Sequence, residues 1–329
     1  MTYAKAGVDL DRYDVLMKAI KGYLGRTTSS GKGLFGGTLK VKGKDTILVA
    51  TVDGVGTKTK VAASVGNLRV IGQDIVCHCV NDILAMGARP LAFLDYLAFD
   101  RLDLKAAREI LAGMAYQCRR HGVELIGGET AEMPGVYRKA EFDVVGFMIG
   151  LTSERKMIDG SRIKVGDLIV GLPSTGLHTN GYSLARKVLL EKARLRLDKP
   201  PKGWKQPLGK VLLKPHRSYF ADVYPLVERR LISGIAHITG GGIPGNLKRI
   251  LPQNCNAIVV KSLWRVPPVF NLIAELGGIE EEEMLRVFNM GLGMLLIVPY
   301  ARLPQVMTSI SSARIVGEVV EGQGEVIIQ

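Results

Sequence analysis

Short apolar runs recur along this chain, and in its first half three of them stop at a carboxylate or at glycine. Residues 47–50 run into Asp53, 91–94 into Asp95, and 123–126 into Gly127, Gly128 and Glu129. Runs of this length, bounded by turn formers, read as strands buried in a sheet. The pattern continues at 144–151, 168–172, 257–260 and 294–298. Between the second and third runs the period becomes helical: Leu104, Ala107, Leu111, Met114, Ala115 and Cys118 share one face. Asp103 fits its N-cap and Gly122 its stop. Helices are also expected over 183–195 and 269–276, with a basic, Pro-punctuated connection over 199–214. The strands do not all sit in regular βαβ units. The expected class is therefore α+β, built as two α/β-type domains, 1–162 and 163–329, with the seam at 161–166.

Composition narrows the function classes. Glycine is in excess, 39 of 329 residues, against a usual ~7%, which favours tight turns and close approach of backbone to ligands. Four cysteines cannot form a disulfide framework for a chain this long. No apolar run approaches the ~20 residues that span a bilayer, and the first ten residues hold no signal core, so a cytoplasmic protein is expected. The net charge is +13, and residues 186–230 hold 13 basic and 4 acidic side chains. Nucleic-acid surfaces show such an imbalance. Here it lacks interleaved aromatics and any nucleic-acid motif, so it reads as a solvated basic face.

Several segments carry chemistry. The phosphate-loop pattern GxxxxGK[ST] is absent, while residues 240–245 (GGGIPG) satisfy GxGxxG without the acidic residue expected downstream. Thr239, Gly240, Gly241 and Gly242 remain as a turn whose amides could cradle an anion. Asp53, Asp82 (beside Asn81), Asp95 and Glu129 are read as carboxylates at strand ends or turns, converging on one sheet edge to hold Mg²⁺ with substrate phosphates. His178 lies in a polar, glycine-bounded loop at 174–183, and His237 precedes the triple glycine. His121 reads as a helix C-terminal cation, and His216 carries no reading. Residues 77–79 (Cys-His-Cys) lack a second ligand pair at zinc spacing, since Cys118 and Cys255 lie far off.

At these residues the chain resembles the phosphoribosylformylglycinamidine cyclo-ligase (aminoimidazole ribonucleotide synthetase) family over nearly its whole length. The matching stretches are 3–9 (YAKAGVD), 53–58 (DGVGTK), 79–82 (CVND), 87–90 (GARP), 93–96 (FLDY), 127–135 (GGETAEMPG), 176–184 (GLHTNGYSL), 237–242 (HITGGG) and 288–294 (FNMGLGM). Several are shared with related kinases and synthetases that use the same phosphoryl chemistry. Residues 215–216, Pro-His, depart from the family's usual Pro-Thr, and Gly245 and Lys248 depart from its usual Glu and Pro.

The resemblance implies an ATP- and Mg²⁺-dependent ring closure of formylglycinamidine ribonucleotide to aminoimidazole ribonucleotide in purine biosynthesis. It also implies a homodimer whose N-terminal sheets join into a barrel. The nucleotide side it implies comprises Lys21, the loop with Gly36 and Gly37, Asp53, Gly54, Thr57, Lys58, Asn81, Gly127, Gly128, Glu129 and Thr130. Asp53, Asp82 and Glu129 are the implied metal ligands. His178, Asn180 and Asp82 are the implied catalytic group, and Thr239 to Gly242 the substrate contact. The alternatives are another small-molecule kinase or synthetase of the superfamily, or a non-catalytic RNA-binding protein.

Overall fold

A computed structural model of the chain describes residues 1–12, 15, 16, 19, 20 and 33–329. The expected Lys21 lies outside the described residues. Two sheets organise the molecule. The first is ordered β1-β2-β5-β3-β4, from β1 (Gly37–Lys40), β2 (Ile47–Gly54), β3 (Arg89–Phe99), β4 (Glu124–Glu132) and β5 (Phe142–Thr152). Its pairs are antiparallel except β3 with β4, which are parallel. The second is ordered β11-β8-β10-β6-β9-β7. Its strands are β6 (Leu168–Pro173), β7 (Gly234–His237), β8 (Cys255–Val259), β9 (Leu292–Val298), β10 (Arg314–Glu321) and β11 (Val326–Ile328). The mixed α/β content with two sheets agrees with the expected class.

The helices form where local signals require them. Three lie along the first half: α1 (Lys58–Val65), α2 (Arg69–Ala85) and α3 (Leu104–His121). Asp103 caps α3 by accepting the N–H groups of Lys105 and Ala106, and Gly122 ends it in the left-handed region at φ 62°. Helix α2 escaped the sequence reading because it is buried on every side and shows no apolar stripe. Fifteen of its residues, from Val70 to Ala85, are buried, as expected of a helix enclosed on all faces. It packs on the first sheet through β2, β3 and β5, and on the second through β7. Backbone contact fixes its crossing with α3: a Cβ on Gly72 would stand 1.9 Å from the Ile110 carbonyl oxygen, and one on Gly113 would stand 2.1 Å from that of Arg69. Larger residues there would push α2 out of register with the sheets.

In the second half, the helix expected over 183–195 begins as α4 (Tyr182–Arg186) and widens into π-type turns at Lys187–Lys192. The basic connection contains α5 (Leu208–Leu212), which buries Leu208 and Leu212. Then follow α6 (Phe220–Glu228), α7 (Gly242–Lys248), α8 (Pro268–Gly277), α9 (Glu281–Val287) and α10 (Leu303–Ser309).

Candidate functional site

Helix α2 brings its side chains into a buried polar cluster between the sheets. Asp82 is not at a turn, as the sequence reading had it. It sits within α2, one turn after His78, so both share one helix face. Asp82 Oδ1 accepts from His237 Nδ1 at 2.8 Å, and Oδ2 accepts the Thr51 hydroxyl at 3.3 Å. His78 Nδ1 contacts Thr179 Oγ1 at 2.9 Å, and its Nε2 lies 2.9 Å from Asp53 Oδ2. Burial lowers the affinity of His78 for its proton, but Asp53, Asp82 and Asp74 outweigh that and push it up to about 9. Asp53 is in turn held below the ordinary carboxylate value. Burial opposes this, and the His78 charge overcomes it. The Asp53 side chain keeps 42% of its surface exposed, while Asp82 keeps 8%. The cluster therefore has one open carboxylate and one closed one.

The second half of the chain supplies the rest. His216 Nε2 lies 3.1 Å from His237 Nε2, and the His178 ring stacks on that of His216 at 4.1 Å. Burial, then neighbouring imidazoles, holds His216 well below its ordinary value; burial also lowers His237, against Asp82. Asn180 meets the glycine turn: a Cβ on Gly240 would lie 3.4 Å from Asn180 Oδ1. That turn is stitched by Asn246, whose Nδ2 reaches the carbonyls of Thr239, Gly240 and Gly242. Thr57 Oγ1 lies 3.1 Å from Ser183 Oγ, joining the start of α1 to α4. Asp53 and Asp82 are thus connected through His78 and Thr179 to Asn180, and through Asn180 to the 239–242 turn.

Other expected site residues are placed elsewhere. Glu129 does not join Asp53 and Asp82 within the chain. Asp53, Gly146, Asp95 and Gly128 form one row across the sheet, and Gly128 lies beneath the Asp95 side chain. Glu129 and Thr130, on exposed β4, lie three strands from Asp53, and alternation sends Glu129 to the opposite face. Burial pushes Asp95 up to about 6. Gly127 and Gly128 are likewise on β4. Lys58 is fully buried and cannot reach a phosphate in this arrangement. Its ammonium binds Asp74 at 2.5 Å and donates to the carbonyls of His178 and Lys214 at 2.9 and 3.0 Å, which uses all its donors. Asn81 is also spent: Oδ1 accepts the Tyr219 N–H, and Nδ2 faces the Arg217 carbonyl and His216. Gly36 packs under β2, where a Cβ would meet Val49 at 2.9 Å, and Gly37 opens β1. Gly54 donates its N–H to Asp53 Oδ1 at 2.7 Å.

His178 is a loop brace. Its Nε2 accepts the Thr175 N–H at 3.2 Å, its carbonyl accepts from Lys58, and its backbone is left-handed at φ 61°. Burial, then the nearby cationic groups, holds its pKa well below the ordinary value. His121 is not a helix-terminal cation: burial, helped by Arg120, lowers it to about 4. The sequence reading missed His78, His216, Thr179 and Asn246. The i, i+4 spacing of His78 and Asp82 was the available signal.

Comparison with known proteins follows this geometry. Residues 36–152 match the family described as "AIR synthase related protein, N-terminal domain", and 164–329 match its C-terminal domain. A phosphoribosylformylglycinamidine cyclo-ligase of Myxococcus xanthus is 46% identical over 335 residues, covering 98% of this chain and 97% of that protein. The chain belongs to the phosphoribosylformylglycinamidine cyclo-ligase family. A second member, of Syntrophus aciditrophicus, is 41% identical across 98% of this chain and 96% of its own length. Among solved structures, AaThiL complexed with AMPPCP and TMP superposes with TM-score 0.66 at 16% identity, covering 95% of this chain and 92% of that one. The hydrogenase maturation protein HypE in complex with ATP superposes with TM-score 0.64 at 19% identity, covering 93% and 85%. These two share the fold. Among the described residues no helix is long and apolar enough to cross a membrane.

Proposed function

We propose that the protein converts formylglycinamidine ribonucleotide to aminoimidazole ribonucleotide, consuming ATP and releasing ADP and phosphate. The observation that carries this is the 46% identity along 98% of the chain with a relative of that name. The formamide oxygen is a poor leaving group. Transfer of the γ-phosphoryl to it forms a C–O–P linkage. The internal amidine nitrogen then attacks the formyl carbon, the C–O bond breaks, and phosphate departs. Positioning and charge compensation do most of this work.

The first half of the chain (1–162) is the nucleotide side of this reading and the second (163–329) the acceptor side. Asn180 and the turn from Thr239 to Gly242 orient the acceptor, since the structure brings them together and Asn246 holds the turn rigid. Mg²⁺, arriving with the nucleotide, supplies charge compensation for the transferred phosphoryl. Asp53 fits it because its carboxylate is the open one. Asp82 is engaged inward by His237 and Thr51, and Glu129 lies on the far face.

The protein acts as a homodimer through the first sheet in this reading. Val52, Phe147 and Leu94 form a row on the face away from α2, and Val52 is 65% exposed and Phe147 37%. An apolar face of this kind marks a surface to be covered.

The test is an assay of ATP, Mg²⁺ and formylglycinamidine ribonucleotide, with ADP, phosphate and the aminoimidazole product quantified together. Equal yields of the three support the reading. Phosphate release without the imidazole would overturn it.

A further inference from the structure

The open carboxylate of Asp53 and the Asn180 amide beside the glycine turn belong to different halves of the chain. Two buried side chains, His78 and Thr179, join them. Asp53 Oδ1 accepts the Gly54 N–H at 2.7 Å, and Oδ2 faces His78 Nε2 at 2.9 Å. Both oxygens are held, so the direction of the carboxylate is set. His78 Nε2 also lies 3.7 Å from Asp82 Oδ2. The other nitrogen of His78, Nδ1, meets Thr179 Oγ1 at 2.9 Å.

Thr179 is a junction. Asn180 Nδ2 donates to its Oγ1 at 3.4 Å, and His216 Nδ1 lies 3.4 Å from the same oxygen. A threonine hydroxyl has one donor and two lone pairs. The Asn180 amide N–H takes one lone pair. The hydroxyl proton then serves one imidazole, and the second lone pair accepts from the other. Either direction of the hydroxyl makes the same contacts. The Thr179 side chain therefore fixes the rotation of the Asn180 amide, with Nδ2 inward. Asn180 Oδ1 is left beside the turn, 3.4 Å from where a Cβ on Gly240 would stand.

Buried polar groups pair because unpaired ones are costly. This pair does more than satisfy itself, since each member's further contact is to a residue of the site: His78 to Asp53, and Thr179 to Asn180. Its footing is firm at both ends. His78 is carried by buried α2. The loop that carries Thr179 is held by Lys58 at the His178 carbonyl, 2.9 Å, and by Asn289 Nδ2 at the Gly176 carbonyl, 2.9 Å. Transfer between two bound molecules depends on their separation and angle, and a misplacement of ~1 Å can cost ~10²-fold.

We propose that His78 and Thr179 are positioning residues: they form one strut that sets the Asp53 carboxylate, on the nucleotide side, against Asn180, on the acceptor side. This rests on the reaction proposed above. Neither residue touches the reacting atoms. His78 aims Asp53, and Thr179 aims Asn180.

The test is single-turnover and steady-state product formation by the full-length chain with ATP, Mg²⁺ and formylglycinamidine ribonucleotide. Thr179→Val keeps the shape of the side chain and removes the hydroxyl. It is expected to lower kcat ~10–100-fold, while KM for ATP stays close to that of the parent. Thr179→Ser, which restores the hydroxyl, recovers most of the rate. His78→Leu breaks the strut at its other member and gives a loss of similar size. The double variant is no slower than the slower single one, as for residues that act as a unit. Circular dichroism and thermal melts check folding, and the Thr179→Val and Thr179→Ser pair decides if His78→Leu does not fold. Parental kcat per folded molecule in Thr179→Val, no recovery in Thr179→Ser, or losses that multiply in the double variant overturns the strut and leaves the reaction standing. A parent chain that forms no aminoimidazole product overturns the reaction, and the strut with it.

Discussion

The ammonium of Lys58 and the carboxylate of Asp74 form an ion pair at 2.5 Å with neither side chain exposed. The pair links α1 to α2, and Lys58 also grips the backbone of the second half of the chain at His178 and Lys214. Asp74 Oδ1 accepts the His216 N–H at 2.8 Å. A lysine that the family resemblance implied beside a nucleotide is thus a clamp between the two halves of the chain.

Lys58→Met is expected to destabilise the fold by about 3–5 kcal/mol, because it leaves a buried carboxylate unpaired. Adding Asp74→Asn recovers part of the loss. Urea denaturation of the three proteins measures this. A single variant as stable as the parent would contradict the clamp.

His178→Ala is expected to lower the melting temperature while the single-turnover rate per folded molecule changes less than ~10-fold. A positioned acid or base would cost ~10²–10⁴-fold. Its Nε2 already accepts a backbone N–H and burial lowers its pKa, so a brace is the role the contacts support. A rate loss of the larger size at unchanged stability would restore a proton-transfer role.

Asp53→Asn is expected to raise the Mg²⁺ concentration needed for half-maximal turnover at least ~10-fold with little change in melting temperature, as one anionic oxygen ligand is lost. Turnover measured against Mg²⁺ at fixed ATP reports it. An unshifted Mg²⁺ profile removes Asp53 from the metal.

His121 makes stability depend on pH. Its folded pKa, about 4, is below the ordinary histidine value of 6.5, so between those values the unfolded chain binds more protons and stability falls as pH falls. The upper bound is about 3.4 kcal/mol, at 1.36 kcal/mol per unit, and solvent screening of the partly exposed ring makes the actual effect smaller. His121→Phe, packed on Phe220 as the native ring is, should flatten this limb. Thermal melts at neutral and mildly acidic pH compare the two, and an equally steep decline in the variant refutes the assignment.

Phe147→Lys, on the apolar face of the first sheet, is expected to give a monomer by light scattering. The parent should run as a dimer at the same concentration.

What the sequence determined by itself was local. The run at 47–50 lies inside β2 and that at 168–172 inside β6. Asp103 and Gly122 bound α3. The glycine motifs pointed to the family, because those signals are carried by neighbouring residues. Tertiary structure decided the rest. Helix α2 has no amphipathic stripe, since both sheets cover it, so its existence and the place of Asp82 within it were not legible. Glu129 could be read as a partner of Asp53 only until the strand order put β5 and β3 between them. Lys58, His78, His216 and His237 are buried polar groups, and a buried polar group requires partners. Those partners lie as far as 156 residues away in the chain. Periodicity and spacing report which face of an element is apolar. Which distant polar groups then satisfy one another depends on how the two sheets close over α2.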